Sequence, residues 1–217
     1  MITVEAIKDR LVRDAFANPL MDNTMRGIWC EYMVAEALGT ECKTVGFGWN
    51  AWDLQIGESG ADLPDRIRIQ VKNNARMQVW NAGTKRLSDA TFSLPWRRRP
   101  DYFERYTPGV PCEAEGFLCD VFILCHHPET DGTSADQRDP SQWEFYILPV
   151  RGPNCAVTES EIASMRAHLA KGKARASTIR RPETLQHGIR GRPKIEPIRI
   201  DQLSIRRIRK SLGLEVR

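Results

Sequence analysis

Alternation of apolar and polar residues predicts a strand at residues 66–74, which read RIRIQVKNN. Ile67, Ile69 and Val71 occupy one side of this segment and polar residues the other, the period of a half-buried strand. The turn-like sequence GESGADLPD precedes it and indicates a hairpin with the strand before it, as the third strand of a meander. Further strands are predicted by shorter apolar segments at 44–49, 51–57, 116–127 and 143–150.

Helical spacing of apolar residues predicts three longer helices, at 2–17, 23–38 and 158–170. The first ends at Asn18-Pro19, because proline cannot continue a helix, and the third opens with a capping box from Thr158 to Glu161. Residues 82–115 are rich in proline, arginine and aromatic residues and are expected to be irregular. The chain after 171 contains a possible last strand at 196–200 and a short basic helix at 202–213.

The order of these elements predicts a mixed α/β (α+β) fold, with a central mixed sheet of about five strands flanked by helices. We expect residues 1–170 to form the core, with an insertion at 82–115, and residues 171–217 to form a basic C-terminal extension. A chain of 217 residues that is 41% hydrophobic is long enough for one well-packed domain. No apolar run approaches the length of a membrane helix, and the six cysteines form no CxxC pair, so we expect a reducing cytoplasm and no membrane.

Charge is distributed unevenly along the chain. Residues 171–217 contain fourteen Lys or Arg against four Asp or Glu, a balance of +10, whereas residues 1–170 contain eighteen against twenty-four, a balance of −6. A basic terminal segment on an acidic body favours a polyanionic partner, most simply nucleic acid. A solvated basic tail without a partner is equally compatible with this composition.

Three polar residues of the predicted hairpin have side chains of the types found at metal sites. Asp53 projects from the polar side of its strand, and Gln70 and Lys72 share the polar side of the next strand. The Asp53 carboxylate, the Gln70 side-chain oxygen and the Val71 backbone carbonyl could supply hard oxygen ligands to Mg²⁺. Lys72 could hold or help to deprotonate a water molecule and counter the charge of a phosphate.

The chain has a helix that contains Glu31, followed by Asp53 and then by Gln70-x-Lys72. This pattern resembles the PD-(D/E)xK nuclease superfamily, in its subtype that has glutamine before x-Lys. The resemblance implies a restriction endonuclease-like fold and Mg²⁺-dependent hydrolysis of phosphodiester bonds, with Mn²⁺ as a possible substitute. It implies that Asp53 and Gln70 bind the metal, that Lys72 is the catalytic lysine, and that Glu31 is a catalytic and metal-binding acid.

Some positions depart from that pattern or leave a choice open. Trp52 precedes the aspartate where the superfamily's name has proline, and Gln70 replaces an acid, which removes one negative charge from the metal site. Glu36 is an alternative to Glu31 as the helix acid. Gln78 matches a polar residue that often follows the lysine strand in this superfamily.

Candidate nucleic-acid contacts are mainly arginines, because they neutralise phosphates, together with an aromatic residue that can stack on bases. Two of them share the polar face of the lysine strand, Gln78 follows that strand, others lie in the segment 95–106, and the rest lie in the basic helix of the tail. They are Arg66, Arg68, Gln78, Trp96, Arg97, Arg98, Arg99, Arg206, Arg207, Arg209 and Lys210.

These features together predict a Mg²⁺-dependent endonuclease of the restriction type. We expect duplex DNA as its substrate and a homodimer that allows both strands to be cut. Two alternatives from other classes are a DNA-binding protein on the same fold that has lost catalysis, and an interaction module that binds acidic protein or RNA through its basic tail.

Overall fold

The computed structural model describes residues 2–45, 50–58, 63–84, 86–97, 116–171, 175–188 and 194–215. Within these ranges the strands are β1 (Cys42–Thr44), β2 (Leu54–Ile56), β3 (Ile67–Ala75), β4 (Phe92–Arg97), β5 (Val121–His127), β6 (Glu144–Pro149) and β7 (Arg175–Arg180). The helices are α1 (Val4–Ala15), α2 (Asn23–Leu38), α3 (Glu159–Leu169), α4 (Pro182–His187) and α5 (Ile205–Ser211). Short 3-10 turns occupy Val79–Asn81, Pro140–Gln142 and Ile200–Gln202.

Five of the strands form one mixed sheet in the order β1-β2-β3-β5-β6. The first three are antiparallel neighbours, which confirms the predicted meander. β3 and β5 are parallel and β5 and β6 are antiparallel. Every residue of β5 is buried, as expected for a strand covered on both faces. The expectation of a mixed α/β fold with a five-stranded central sheet is confirmed.

A second, two-stranded sheet joins two segments that the sequence analysis placed outside the regular core. β4 lies within 82–115 and pairs antiparallel with β7, which lies after residue 171. Phe92, Leu94 and Trp96 alternate with less buried residues and point into the core. Pro95 interrupts the usual strand composition, which is why the period of two was not assigned to a strand.

The hydrophobic core has one cluster on each face of the main sheet. α2 covers the face to which Ile67, Ile69 and Val71 belong, and the buried Ile208 of α5 joins the same cluster. The opposite cluster combines apolar residues of β4, β5, β6 and α3. Residues 171–217 therefore contribute a strand, two helices and core side chains, which is more than an extension that only carries charge.

The first helix differs from the others because none of its residues is buried. Its N-cap is Thr3, whose hydroxyl accepts a hydrogen bond from the backbone N–H of Ala6. Ile7 and Leu11 are more than half exposed. Among the described helices, α1 included, none combines the length and the apolar character that a membrane crossing requires.

Candidate active site

The hairpin of β2 and β3 places Asp53 beside Gln70, as the sequence predicted. The Asp53 backbone N–H donates to the Ile69 carbonyl at 3.0 Å, at the end of the β2–β3 pairing. The Asp53 carboxylate then accepts the Val71 backbone N–H at 2.7 Å and the Gln70 amide nitrogen at 2.5 Å, both on Oδ2. The side chain of Asp53 thus continues the hydrogen bonding of β3 at the position just before β2 begins.

Glu31 and Lys72 belong to the same cluster, although they come from different elements. α2 packs on β3 through buried residues such as Cys30 and Val34. This packing places the neighbouring Glu31 near Asp53. The Glu31 and Lys72 side chains are half-buried, and neither makes a hydrogen bond or an ion pair with another residue that the structure describes. Both lie close enough to Asp53 for their charges to affect one another.

The two carboxyl groups of this cluster bind protons more tightly than isolated carboxyls. The pKa of Glu31 is raised to about 7. Burial is the largest cause, the Asp53 charge acts in the same direction, and the Lys72 charge opposes the shift. Burial also raises the pKa of Asp53, against the lowering effects of Lys72 and of the hydrogen bonds from Val71 and Gln70. Perturbed acids of this kind cluster at functional sites, because catalysis needs groups that exchange protons near neutral pH.

A pocket of about 240 Å³ opens beside these residues. Asp53, Gln70 and Lys72 form one wall, and Pro95 and Arg97 of β4 form another. The second sheet therefore carries Arg97, one of the predicted nucleic-acid contacts, to the predicted catalytic strand. A guanidinium at this position adds permanent positive charge, which suits a phosphate.

The donor set for a metal ion contains two acids and one amide. Asp53 and Glu31 are the acids, and no group of three His, Cys, Asp or Glu side chains suited to a metal occurs in the described ranges. Gln70 presents its amide nitrogen to Asp53; a half-turn of the amide would present its oxygen instead. Two hard carboxylate oxygens with an amide oxygen fit a Mg²⁺ ion, which normally keeps several waters.

Arg66 and Arg68 are buried, contrary to the expectation that they contact nucleic acid. Their side chains are 2% and 3% exposed and lie over the ring of Trp52, at 5.5 and 5.6 Å from its centroid. Arg68 also forms a bidentate ion pair with the fully buried Asp120, with contacts of 2.8 and 3.0 Å. A guanidinium buried in this way cannot reach a phosphate, so neither arginine is kept as a candidate for nucleic-acid contact.

Gln78 and Trp96 are buried as well and take structural roles. The Gln78 side-chain oxygen accepts a hydrogen bond from Arg26, and its amide donates to the Ala75 carbonyl at 2.9 Å. Trp96 packs edge-on against Phe117, with ring centroids 5.0 Å apart. Stacking on a base needs an exposed ring face, so neither residue remains a candidate for nucleic-acid contact.

The other predicted contacts divide into three groups. Arg98 and Arg99 lie outside the described residues. On α5, Arg206, Arg207 and Lys210 are exposed. Arg209 of the same helix is half-buried.

The two candidate helix acids differ in their exposure. Glu36 is exposed on α2, whereas Glu31 is half-buried and interacts electrostatically with Asp53 and Lys72. Asp120 was not considered in the sequence analysis, although it lies directly before the apolar run VFILC, where a charged residue needs a buried partner. Its structural role with Arg68 could have been suspected from that position.

Comparisons with known proteins identify no relative. No protein-family model matches the chain, and no curated protein or solved structure shows significant similarity to it. The proposed function therefore depends on the site itself.

Proposed function

We propose that this protein is a metal-dependent endonuclease that hydrolyses phosphodiester bonds of DNA. The observation that supports this most strongly is the convergence of Asp53, Gln70, Lys72 and Glu31. They come from two strands and a helix that are distant in sequence, and their types are those needed for metal-assisted phosphate chemistry. Arg97 lines the same pocket and suits an anionic substrate.

Mg²⁺ is the proposed cofactor, with Mn²⁺ as a substitute, held by Asp53, Glu31 and the reoriented Gln70 amide, with the Val71 carbonyl as a further candidate ligand. A bound divalent cation would supply Lewis-acid stabilisation of negative charge on the phosphate. It would also relieve the repulsion between the two carboxyl groups, which burial otherwise makes costly to ionise.

The residues of the chain supply the remaining chemistry. Lys72 is half-buried without a hydrogen-bonding partner among the described residues, so its ammonium group can hold the attacking water and neutralise phosphate charge. Glu31 can act as a ligand of the cation or, where it does not bind the cation, as the acceptor of a proton from that water; its pKa of about 7 describes the site without a cation. Arg97 can orient the phosphate within the pocket.

Restriction-type cleavage of duplex DNA by a homodimer remains the form of this activity that we propose, because two copies can cut both strands. The cytoplasm is the proposed location. The five cysteines within the described ranges are free thiols, which a reducing compartment preserves.

One observation favours a second candidate function, DNA binding without cleavage. The Gln70 amide already satisfies the Asp53 carboxylate at 2.5 Å, so the pair is stable without a cation. Such a protein would retain duplex DNA in EDTA, cut nothing with any divalent ion, and bind equally well after Lys72→Met.

The test of the nuclease is incubation of supercoiled plasmid with the purified protein in EDTA, Mg²⁺ or Mn²⁺, beside Asp53→Ala and Lys72→Ala. Metal-dependent nicking that both substitutions abolish is the expected result, and discrete fragments would support the restriction-type form. Intact plasmid under all metal conditions, with retained DNA binding, would reject the nuclease in favour of the second candidate.

A further inference from the structure

A groove of about 390 Å³ lies between β6 and α5, at the β6 edge of the main sheet. Its floor is apolar and is built from residues of β6 and of the segment before the last 3-10 turn. These are Ile147, Pro149, Ile195 and Ile198. Ile147 and Ile198 also pack against the core, so the floor is anchored rather than formed by loose surface side chains.

Two cations stand at the rim of this groove without an anionic partner. Arg207 and Lys210 lie one turn apart on α5, are exposed, and form no ion pair within the described part of the chain. Lys194 also lines the groove, but it pairs with Glu196. The groove therefore combines an apolar floor with two uncompensated positive charges.

This combination selects for an anion with an apolar body. The volume lies within the range of small-molecule sites, roughly 300–1,000 Å³. A nucleotide unit has the required composition, because its base and sugar can cover apolar surface while its phosphate meets cations. Arg and Lys residues three positions apart on a helix point to the same side, which allows both to approach one phosphate group.

We propose that the groove binds one nucleotide of a nucleic-acid strand, with its base or sugar on the Ile195–Ile198 side and its phosphate between Arg207 and Lys210. The choice of nucleic acid as the ligand rests on the proposed function. The site itself is separate from the catalytic cluster, and its test does not require cleavage.

The experiment measures binding of a fluorescently labelled oligonucleotide by anisotropy in EDTA, from low to moderate salt, with the full chain. Arg207→Gln combined with Lys210→Gln should weaken binding by about tenfold or more. It should also reduce the slope of log K against log salt by about 0.7 to 0.9, because the two cations meet a single phosphate. Arg206→Gln is the matched control, because Arg206 is exposed on the same helix but does not line the groove.

A second variant tests the apolar floor separately from the charges. Asn154 is exposed at the rim, and Asn154→Trp would fill the groove while keeping both cationic side chains, at the cost of one long hydrogen bond, 3.4 Å, from the Asn154 amide to the Lys210 carbonyl. Weaker binding by this variant, with the control unchanged, is the expected result. An equal loss for Arg206→Gln, unchanged binding by the filled variant, or binding only of acidic peptides would overturn the proposal.

The failure of this proposal can be told apart from failure of the nuclease. Asp53→Ala should abolish nicking and leave groove binding intact. Metal-dependent nicking without any effect of the groove variants on binding would reject the groove alone. Groove-dependent binding without nicking under any metal condition would reject the nuclease alone.

Discussion

Replacement of Glu31 by glutamine should make the protein more stable at alkaline pH, because Glu31 is held where its ionised form is disfavoured. Burial and the Asp53 charge raise its pKa from an ordinary value of 4.5 to about 7. Between these two values the folded protein keeps a proton that the unfolded chain has lost. The free energy of unfolding of the wild type therefore falls as pH rises through this window.

The size of the effect follows from the width of the window. Each pKa unit corresponds to about 1.36 kcal/mol, so the wild type should lose at most roughly 3 kcal/mol of stability through Glu31 between about pH 4.5 and 7, and less to the extent that solvent screens this partly exposed carboxyl. Glu31→Gln has no proton to lose in this range. It should match the wild type near pH 4.5 and exceed it by up to roughly 3 kcal/mol at pH 8.

Urea unfolding at a series of pH values, in EDTA, measures this difference. Glu36→Gln is the matched control, since Glu36 is exposed on the same helix and its removal changes net charge equally. A gain at pH 8 that Glu36→Gln reproduces, or no gain for Glu31→Gln, would refute the placement of Glu31 beside Asp53. Addition of Mg²⁺ at 100 times its Kd should restore about 2.7 kcal/mol to the wild type at pH 8 and less to Glu31→Gln.

Two further predictions concern buried structure. Asp120→Ala should lower the free energy of unfolding in urea by about 3–5 kcal/mol, because it removes the carboxylate of a buried ion pair. Adding Arg68→Met to the same chain should recover part of the loss. A loss below about 1 kcal/mol would contradict the burial of this pair. Gly57→Ala should cost about 3 kcal/mol or more by thermal unfolding, since its φ is +86° and a Cβ would lie 1.9 Å from the Asp65 carbonyl oxygen. Gly39→Ala, at φ +77° and ψ −168° with no atom within 4 Å of its Cβ, should cost only the backbone strain of about 1–3 kcal/mol, and equal costs for both would contradict the close approach at Gly57.

Strand β3 and its hairpin could be predicted from the sequence because their signals are local. Alternation of Ile67, Ile69 and Val71 with polar residues defines the strand, and the turn before it defines its pairing. The convergence of Asp53 and Gln70 then follows from the hairpin. Helical spacing left Glu31 and Glu36 as two possible acids, because a helical-wheel projection does not show which side of α2 packs on β3.

The second sheet and the burial of the polar face of β3 could not be predicted, because both depend on long-range contacts. β4 and β7 are about 80 residues apart along the chain, and their pairing covers one face of the main sheet. Polar alternation suggested exposure for Arg66 and Arg68, but both lie over the Trp52 ring, and Arg68 forms an ion pair with Asp120. A period of two shows which side chains share a face and does not show whether a second layer covers that face.

The most direct test of the central claim is the rate of plasmid nicking in Mg²⁺ by the wild type, Lys72→Met and Lys43→Met. Lys43 is a matched control because it is an exposed lysine of the same sheet, on strand β1, and is paired with Glu58. We predict that Lys72→Met slows nicking by about 100-fold or more, as removal of a group that stabilises developing charge does, and that Lys43→Met leaves the rate unchanged. Equal rates for all three proteins, or no nicking by any of them, would contradict an active site built on Lys72.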